Sequence, residues 1–421
     1  GDSTTQYGSV IEAGRDFQVV AARDISAIAS QIDAVRDIAM AATGDLTLAS
    51  AANEQHSSLN TKKVKTRDDH VSQVSTTVKA GGDVTLSAGQ DLALVASRVE
   101  AGGEAYLVAG GNLELKTAEE QDYSFYSKTK KSSSGKSFRL NETDTHTNVG
   151  SLVASGGNST LIAGDDLLLQ GSAVNAEKGA AKLIAGSDVQ ILAVSDSSSA
   201  RHESSKSKSS WGGLNSSKVK DKISETSTTA VGSMVSGDTV SVAAGQDVKV
   251  TGSGLVSTDD LVVQAGRDLS VDAALNTFSR TEMHKEKNRD LTGVLTGNNL
   301  GLDDITGNQH LSISSQKHNG TAQETTLTSS TIGSSTGNVT LVAGRELTVI
   351  ASDVVSTQDM SLSGSNVTIA AGTETAHQTS KDSSKSLAVG RVVGGMAVDT
   401  VNSIRNDIRA SQEADDSRLK A

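Results

Sequence analysis

An aspartate recurs immediately before short apolar runs, at spacings that alternate between 8 and 13 residues. Asp16, Asp24, Asp37 and Asp45 show the pattern most clearly, and each is followed by a phenylalanine, isoleucine or leucine. The two spacings together give a repeat of 21 residues, from Asp16 to Asp37. Repetition at this period indicates a solenoid, in which one unit buries its apolar face only against the units above and below it.

One repeat unit contains three short runs in which apolar and polar residues alternate. In residues 83–103 the runs begin near Val84, Leu92 and Arg98, with Gly-containing turns between them. Three such strands predict one triangular turn of a parallel β-helix. The chain has no proline and only 2% aromatic residues, as expected for stacked strands around a narrow aliphatic core. We therefore predict an all-β fold, a right-handed parallel β-helix.

The periodic residues are expected to have structural roles. Recurring Asp and Asn side chains commonly accept hydrogen bonds from backbone N–H groups where a turn meets a strand. The glycine of a recurrent Ala-Gly pair is expected where the chain changes direction, because glycine tolerates a positive φ. The predicted repeat positions are Asp16, Asp24, Asp37, Asp45, Asp83, Asp91, Asn112, Asp166, Asp188, Asp247, Asp268, Gly89, Gly110, Gly164, Gly186, Gly245, Gly266 and Gly344.

Long polar segments rich in Ser, Thr and Lys interrupt the repeats. They are predicted as β-hairpin-like excursions from a rod that extends over residues 1–386. Several end in a related Val-Gly-Ser or Ile-Gly-Ser sequence, at 149–151, 231–233 and 332–334, which predicts equivalent positions on one flank of the rod. The predicted excursions cover residues near 50–79, 117–148, 195–229, 273–331 and 373–386.

The excursions contain all 8 histidines and most of the aromatic residues. Loops on a rigid scaffold are where binding residues usually lie, although a narrow core would exclude the same residue types without any binding role. The lysines suit attraction to anionic lipopolysaccharide or a membrane surface, and they equally suit a role in solubility. The candidate partner- or membrane-contacting residues are Lys62, Lys63, Lys65, Tyr123, Phe125, Tyr126, Lys130, Lys131, Phe138, Trp211 and Phe278.

We predict no catalytic residue, no cofactor and no metal. The chain has no cysteine, so disulfides and thiolate metal ligands are excluded. Polysaccharide-degrading β-helices need a local cluster of carboxylates, whereas the carboxylates here are spread along the repeats. His310 and His318 are 8 residues apart and match no metal-binding motif. A net charge of −12 argues against a nucleic-acid partner.

The last segment differs from the repeats. From Leu387 the strand alternation is lost, and Val401, Ile404 and Ile408 recur at helical spacing before a charged end. This pattern predicts a short amphipathic helix. We interpret residues 387–421 as a helical linker towards a further C-terminal domain, and we expect the chain to be an internal piece of a longer protein.

The repeats resemble a known family. The sequence Gly-Asp-Val-Thr-Leu-Ser-Ala-Gly-Gln-Asp-Leu at 82–92 and its counterpart at 157–167, with Ser/Lys-rich excursions between such units, resemble the second repeat class of filamentous haemagglutinins. The resemblance covers about residues 10–372. Such repeats occur in two-partner-secreted exoproteins, which include contact-dependent growth-inhibition effectors. The tail from Leu387 is similar, over a shorter stretch, to the transition towards a toxin in these effectors.

The resemblance implies a secreted protein, exposed at the bacterial surface, that forms a non-catalytic stalk and delivery module. It would act at the outer membrane of a target cell and help to translocate a C-terminal toxin. The implied partners are an outer-membrane secretion partner in the producing cell, the outer membrane or a surface receptor of the target cell, and the toxin. The alternatives are an adhesin shaft that binds a surface glycan or protein and, third, a β-helical polysaccharide-degrading enzyme.

Overall fold

The computed structural model describes residues 1–210, 214–291 and 310–390, which form 40 strands and, within these ranges, no helix. The strands make four ten-stranded sheets. Three sheets consist of short parallel strands, and the fourth consists of long antiparallel ones. The prediction of an all-β parallel β-helix with hairpin-like excursions is confirmed. The helix predicted at Val401, Ile404 and Ile408 lies outside the described residues.

Each of ten coils contributes one strand to each parallel sheet. Sheet 1 contains β2 (Val10–Ala13), β5 (Gln31–Ala34), β10 (Thr77–Ala80), β13 (Arg98–Ala101), β18 (Leu152–Ser155), β21 (Ala173–Ala176), β26 (Met234–Gly237), β29 (Gly254–Ser257), β34 (Thr331–Ser334) and β37 (Asp353–Val355). Sheet 2 contains β3 (Phe17–Ala21), β6 (Ile38–Ala42), β11 (Val84–Ala88), β14 (Ala105–Ala109), β19 (Ser159–Ala163), β22 (Ala180–Ala185), β27 (Thr239–Ala244), β30 (Leu261–Ala265), β35 (Val339–Ala343) and β38 (Met360–Ser363). Sheet 3 contains β4 (Ile25–Ile28), β7 (Leu46–Ala49), β12 (Leu92–Val95), β15 (Leu113–Lys116), β20 (Leu167–Gln170), β23 (Val189–Leu192), β28 (Val248–Thr251), β31 (Leu269–Asp272), β36 (Glu346–Ile350) and β39 (Asn366–Ala370). At about 4.8 Å per strand, the stack is about 45 Å long.

Aliphatic side chains fill the space between the three sheets. Leu92, Leu113 and Leu167 pair directly across neighbouring strands of sheet 3, and each is fully buried. Because side chains alternate along a strand, every second residue points inward and the intervening residues face solvent. The core is therefore a set of columns in which each side chain packs on its counterparts one coil above and one coil below.

Recurring carboxylates connect successive coils along the edge between sheets 2 and 3. Asp24 accepts a hydrogen bond from the backbone N–H of Asp45 at 3.0 Å, and Asp91 accepts one from Asn112 at 2.7 Å. Arg267 adds a side-chain hydrogen bond from Nε to Asp247 at 2.8 Å, which holds the pKa of that carboxyl below its usual range. These carboxylates satisfy backbone donors and are spread along the rod.

The glycines of the Ala-Gly turns are constrained by the close approach of successive coils. A Cβ on Gly110 would lie 2.3 Å from the carbonyl oxygen of Gly89, and one on Gly164 would lie 2.0 Å from that of Gly110. Among the described residues, none of these turn glycines has a positive φ. The prediction of positive φ was wrong, because the spacing of stacked backbones, about 4.8 Å, is what leaves no room for a side chain.

The corner from sheet 3 to sheet 1 alternates between two forms. After the first, third, fifth, seventh and ninth coils a single residue with positive φ, between 44° and 55°, turns the chain. After the intervening coils a hairpin leaves the rod at the same place. The sequence did not predict this alternation, because alanine occupies three of the five positive-φ positions. These positions are Ala29, Ala96, Gly171, Gly252 and Ala351.

Buried hydroxyl groups also line this corner. Ser151 Oγ accepts the N–H of Ser97 at 3.3 Å, and Ser330 Oγ accepts the N–H of Ser253 at 3.2 Å. Ser330 is therefore the counterpart of Ser151, whereas Ser334 pairs within sheet 1. The excursions do leave the rod at equivalent positions on one flank, as predicted. The tripeptide at 332–334 does not mark this position, because it lies within β34, whereas the tripeptide at 149–151 ends immediately before β18.

The fourth sheet, called the hairpin sheet below, is built from the excursions. In spatial order it contains β1 (Asp2–Thr4), β8 (Ala51–Asn60), β9 (Val64–Val74), β16 (Ala118–Ser132), β17 (Gly135–Val149), β24 (Val194–Ser210), β25 (Asn215–Val231), β32 (Ala274–Asp290), β33 (His310–Thr328) and β40 (Thr375–Gly390). Strand β40 continues past the predicted start of the linker at residue 387, because Leu387 pairs with Ile313 of β33.

The spacing of the β-helix explains why the hairpins form one sheet. A hairpin contributes two strands, and one hairpin leaves the rod after every second coil. Two coils and two sheet strands both span about 9.6 Å, since parallel and antiparallel strands have nearly the same separation. Neighbouring hairpins therefore meet at hydrogen-bonding distance along the rod.

Candidate functional site in the hairpin sheet

The hairpin sheet is a single layer that is exposed on both faces. Its strands pair with one another and make few contacts with the three sheets of the β-helix. Among the described side chains of its strands, Asp69 is the only buried one. Both faces of this sheet are thus available to a partner, and both are mostly polar.

The pairing register assigns each residue to one of the two faces. Registers run without interruption across β9, β16, β17, β24, β25, β32, β33 and β40. Directly paired residues lie on the same face, and successive residues of a strand lie on opposite faces. Observed contacts agree with this assignment: Arg67, two residues from Asp69, is 2.6 Å from its carboxylate and lies 5.4 Å from the centroid of the Tyr123 ring.

Histidine–carboxylate pairs link neighbouring strands. His146 Nδ1 lies 2.7 Å from Glu119, and its Nε2 lies 3.2 Å from Asp144. The hydrogen bond to Glu119, followed by that to Asp144, raises the pKa of His146. A hydrogen bond to Asp69 likewise raises the pKa of His56. In His318, the hydrogen bonds to Asp382 and Glu282 raise the pKa. These histidines therefore stabilise pairing between strands.

One face of the distal half of the sheet is strongly basic. Residues that pair across neighbouring strands form rows, and every second row lies on the same face. Four such rows between the middle of the strands and their tips make up this face, which we call the lysine face. Their cationic residues are Lys65, Lys222 and Lys381 in the first row, Lys220, Lys285 and Lys317 in the second, Lys131, Lys136, Lys218, Lys287 and Lys385 in the third, and Arg289 in the fourth. Glu203 is the only carboxylate that the described residues place in these rows.

The opposite face of the same strands has mixed charge. Its three intervening rows carry five cations and three carboxylates over the same distal region. The cations are Lys128, Lys130, Arg139, Lys206 and Lys208, and the carboxylates are Asp221, Glu286 and Asp382. Charge is thus segregated by face, although the chain as a whole is acidic.

The structure divides the predicted partner-contacting residues between the two faces. Lys65, Lys131, Phe138, Tyr123 and Phe125 share one face, the last two nearer the rod. Tyr126, Lys130 and Phe278 lie on the other face, and Lys62 and Lys63 lie in the connection between β8 and β9. Trp211 lies outside the described residues. No common site unites these residues, and their role in binding stays a prediction.

The sequence reasoning missed five lysines at the centre of the lysine face. Lys218, Lys220, Lys285, Lys287 and Lys317 come from three different strands, far apart in the sequence. The period-2 spacing of Lys218, Lys220 and Lys222, repeated at Lys285 and Lys287, was a usable signal, because it places the side chains on one side of a strand.

The part of the chain that the structure describes contains neither a candidate metal site nor a candidate membrane-spanning helix. In the described ranges, no group of three or more His, Cys, Asp or Glu side chains is arranged to hold a metal ion. The same part of the chain contains no helix that is long and apolar enough to cross a membrane.

Comparison with known proteins identifies the family. The profile of the family described as "Hemagglutinin repeat" matches residues 1–68, 58–143, 132–288, 213–336 and 311–416. The chain belongs to the hemagglutinin repeat family. The predicted resemblance to the repeats of contact-dependent inhibition proteins is also confirmed, since the curated relatives include several CdiA proteins. No solved structure gives a significant match.

Three of these relatives show how much of each protein is matched. The deoxyribonuclease CdiA of Dickeya dadantii is 30% identical over 349 residues, which are 83% of this chain and 10% of the relative. The tRNA nuclease CdiA-2 of Burkholderia pseudomallei is 30% identical over 269 residues, 63% of this chain and 8% of the relative. The 16S rRNA endonuclease CdiA of Enterobacter cloacae is 30% identical over 273 residues, 65% of this chain and 8% of the relative. The hemagglutinin repeats described here thus span a small part of each relative.

Proposed function

We propose that this chain is a non-catalytic stalk and delivery module of a secreted, cell-surface contact-dependent inhibition toxin. In this role it acts at the outer membrane of a target cell and helps to translocate a C-terminal toxin. The relatives bear the names of nucleases, but this chain matches a tenth or less of the three compared above. Its partners in this proposal are an outer-membrane secretion partner, the target membrane or a receptor, and the toxin.

The observation that supports this proposal most directly is the hairpin sheet. It is a broad, single-layer surface held in register along the rod, with both faces exposed. The carboxylates of the repeats are occupied with backbone N–H groups and arginines. This arrangement suits contact with an extended surface rather than turnover of a substrate in a cleft.

The β-helix suits export as an unfolded chain. In a solenoid the stability is a sum of interfaces between neighbouring units, so folding can proceed coil by coil. A chain that emerges from a secretion pore can therefore add each new coil to the folded end. The hairpins follow, because each one pairs with the hairpin formed two coils earlier.

The test is a protease-protection experiment with the 421-residue chain and outer-membrane vesicles of a target bacterium. We expect cleavage within the hairpins to be suppressed by the vesicles and restored by detergent, because the hairpin sheet is the part that meets the membrane. A matched variant replaces residues 193–232 by a single glycine, which copies the hairpin-free corner at Gly171. That variant is expected to keep a protease-resistant β-helix and to lose protection of the adjacent hairpins.

Two outcomes would contradict the proposal. If the chain binds the vesicles but every hairpin remains cleavable, the protein is an adhesin shaft that stays outside the membrane. If it neither binds nor gains protection, a role at the target membrane is excluded. In mixed cultures, inhibition of neighbouring cells by the complete secreted protein should fall when the same hairpin replacement is introduced.

A further inference from the structure

We propose that the lysine face is a docking surface for the phosphate groups of anionic lipids in a membrane. The proposal deepens the proposed function and rests on it for where such a membrane is met. The chemistry follows from the face itself, on which rows of lysines from β9 to β40 lie side by side on a flat sheet with a single carboxylate among their described neighbours.

The lysines form a two-dimensional lattice. Paired residues on neighbouring strands are about 4.8 Å apart, and alternate residues along a strand are about 6.8 Å apart. From β16 to β40 the lysine face thus extends about 29 Å across the strands and about 14 Å along them between the first and third rows. A linear polyanion would contact one stripe of such a lattice. A planar layer of headgroups can contact all of it at once.

The positions of the lysines on this face are unfavourable for strand pairing. Lys285 lies directly opposite both Lys220 and Lys317, and Lys218 lies directly opposite Lys287. Like charges at directly opposite positions destabilise an antiparallel pair. The one carboxylate, Glu203, is already engaged with Arg201 at 2.7 Å and Lys222 at 3.5 Å. The second and third rows therefore have no internal counter-charge among the described residues.

Solubility does not explain this segregation. The chain has a net charge of −12, so additional cations bring it closer to neutrality. If the charges only kept the sheet soluble, either sign of charge on either face would be sufficient. The opposite face of the same strands shows such a mixture, with five cations and three carboxylates in its three intervening rows. The difference between the two faces is the feature that an anionic surface explains.

Apolar side chains on the lysine face favour a lipid surface over a soluble polyanion. Phe138 and Lys220 are members of the same row, and Leu140 lies one row closer to the rod. Near the tips, Ile313 and Leu387 pair directly and are 40% and 57% exposed. Lysines combined with exposed aliphatic and aromatic groups on one side of an element are typical of membrane-interface binding.

The test compares two fourfold lysine variants of the 421-residue chain in vesicle flotation. The first is Lys218→Gln, Lys220→Gln, Lys285→Gln and Lys287→Gln on the lysine face. The second is Lys128→Gln, Lys130→Gln, Lys206→Gln and Lys208→Gln on the opposite face, and it removes the same charge. The lysine-face variant removes directly opposed like charges, so we expect its hairpins to stay folded, which protease resistance in solution will check.

Vesicles of phosphatidylcholine with and without phosphatidylglycerol provide the binding surfaces. We expect the unmodified chain to prefer the anionic vesicles, and we expect this preference to weaken as salt rises from about 0.05 M to about 0.5 M. The lysine-face variant should bind on the order of 100-fold more weakly or worse, because each lysine near an anionic surface contributes to binding. The opposite-face variant should change affinity by less than about 3-fold, since its lysines lie on the face turned away from the membrane in this proposal.

Three results would overturn the inference. The first is an equal loss of affinity in the two variants. The second is that the unmodified chain shows no preference for phosphatidylglycerol. The third is that it binds dextran sulfate through the lysine face but does not bind the vesicles. Protection on outer-membrane vesicles without any preference for phosphatidylglycerol would overturn this inference and leave the proposed function standing. Preference for phosphatidylglycerol without protection on outer-membrane vesicles would overturn the proposed function and leave this inference standing.

Discussion

The β-helix and the hairpin sheet share one strand spacing but differ in what stabilises them. The β-helix encloses columns of fully buried aliphatic residues such as Leu92 and Leu113. The hairpin sheet has no core of its own, and its strands are linked by backbone pairing and by cross-strand polar contacts such as His146 with Glu119. An isolated hairpin is marginally stable in water. The comparison shows that the rod supplies the alignment that lets exposed hairpins persist as a sheet.

The largest expected effect comes from changing the number of coils between hairpins. Deletion of residues 151–171 removes one coil and joins equivalent positions, so the β-helix should remain intact. Only one coil, about 4.8 Å, then separates hairpins that need about 9.6 Å. We expect strands β17 and β24 to lose their pairing, with rapid hydrogen exchange and protease cleavage in the hairpins.

A matched deletion isolates the cause. Removal of residues 151–232 takes out two coils and one complete hairpin, which keeps the two-coil interval. We expect slow exchange to persist in the remaining hairpins of this variant. If both deletions leave the hairpins equally protected, the sheet does not depend on the spacing of the rod.

Truncation of a leucine should have very different effects in the two regions. Leu115 is fully buried in the β-helix, so Leu115→Ala should lower the free energy of unfolding of the surrounding coils by about 2–5 kcal/mol. Leu140 is half-buried in the single-layer sheet, and Leu140→Ala should cost less than about 1 kcal/mol. Denaturant unfolding monitored by hydrogen exchange measures both. Equal effects would mean that the hairpin sheet has a packed core after all.

A methyl group at a stacked turn should destabilise the rod without touching the hairpins. In Gly164→Ala the new Cβ would lie 2.0 Å from the carbonyl oxygen of Gly110, and we expect a loss of about 1–3 kcal/mol in the free energy of unfolding. Gly14 in the first coil has nothing within 4 Å of such a Cβ. Gly14→Ala should therefore be nearly neutral in thermal unfolding, and a similar loss in both variants would exclude close stacking as the cause.

The smallest expected effect is a pH dependence confined to the hairpins. Carboxylate hydrogen bonds raise the pKa of His56, His146 and His318 above the ordinary value of 6.5. Folding therefore binds protons more tightly, and this stabilisation is fully present below about pH 6.5 and is lost as pH rises through the raised values. We expect faster hydrogen exchange in β8–β9 and β16–β17 at alkaline pH, corrected for the intrinsic rate.

The rod serves as the internal control for this pH dependence, because the histidines with raised pKa values all belong to the hairpin sheet. His146→Gln should reduce the pH dependence of β16–β17 and leave that of the β-helix unchanged. A pH response of equal size in the β-helix would show that the histidine–carboxylate pairs are not its source.

Much of the β-helix could be predicted from local sequence. The recurrence of Asp24, Asp45 and Asp91, the alternation around Leu92, and the Ala-Gly turns each depend on residues close together in the chain. Local signals failed where two coils meet. A glycine is required at position 164 because the carbonyl oxygen of Gly110, one coil away, leaves no room for a Cβ. The counterpart of Ser151 is Ser330, whereas the tripeptide suggested Ser334.

The sequence by itself determined that this chain stacks short strands around a thin aliphatic interior, since turn chemistry and period-2 alternation act between neighbouring residues. Only the tertiary structure decided which polar residues share a surface. Lys220, Lys285 and Lys317 lie on three strands, and they become neighbours because the two-coil interval sets hairpin next to hairpin. That interval is a property of the stacked rod, and no local segment of the sequence contains it.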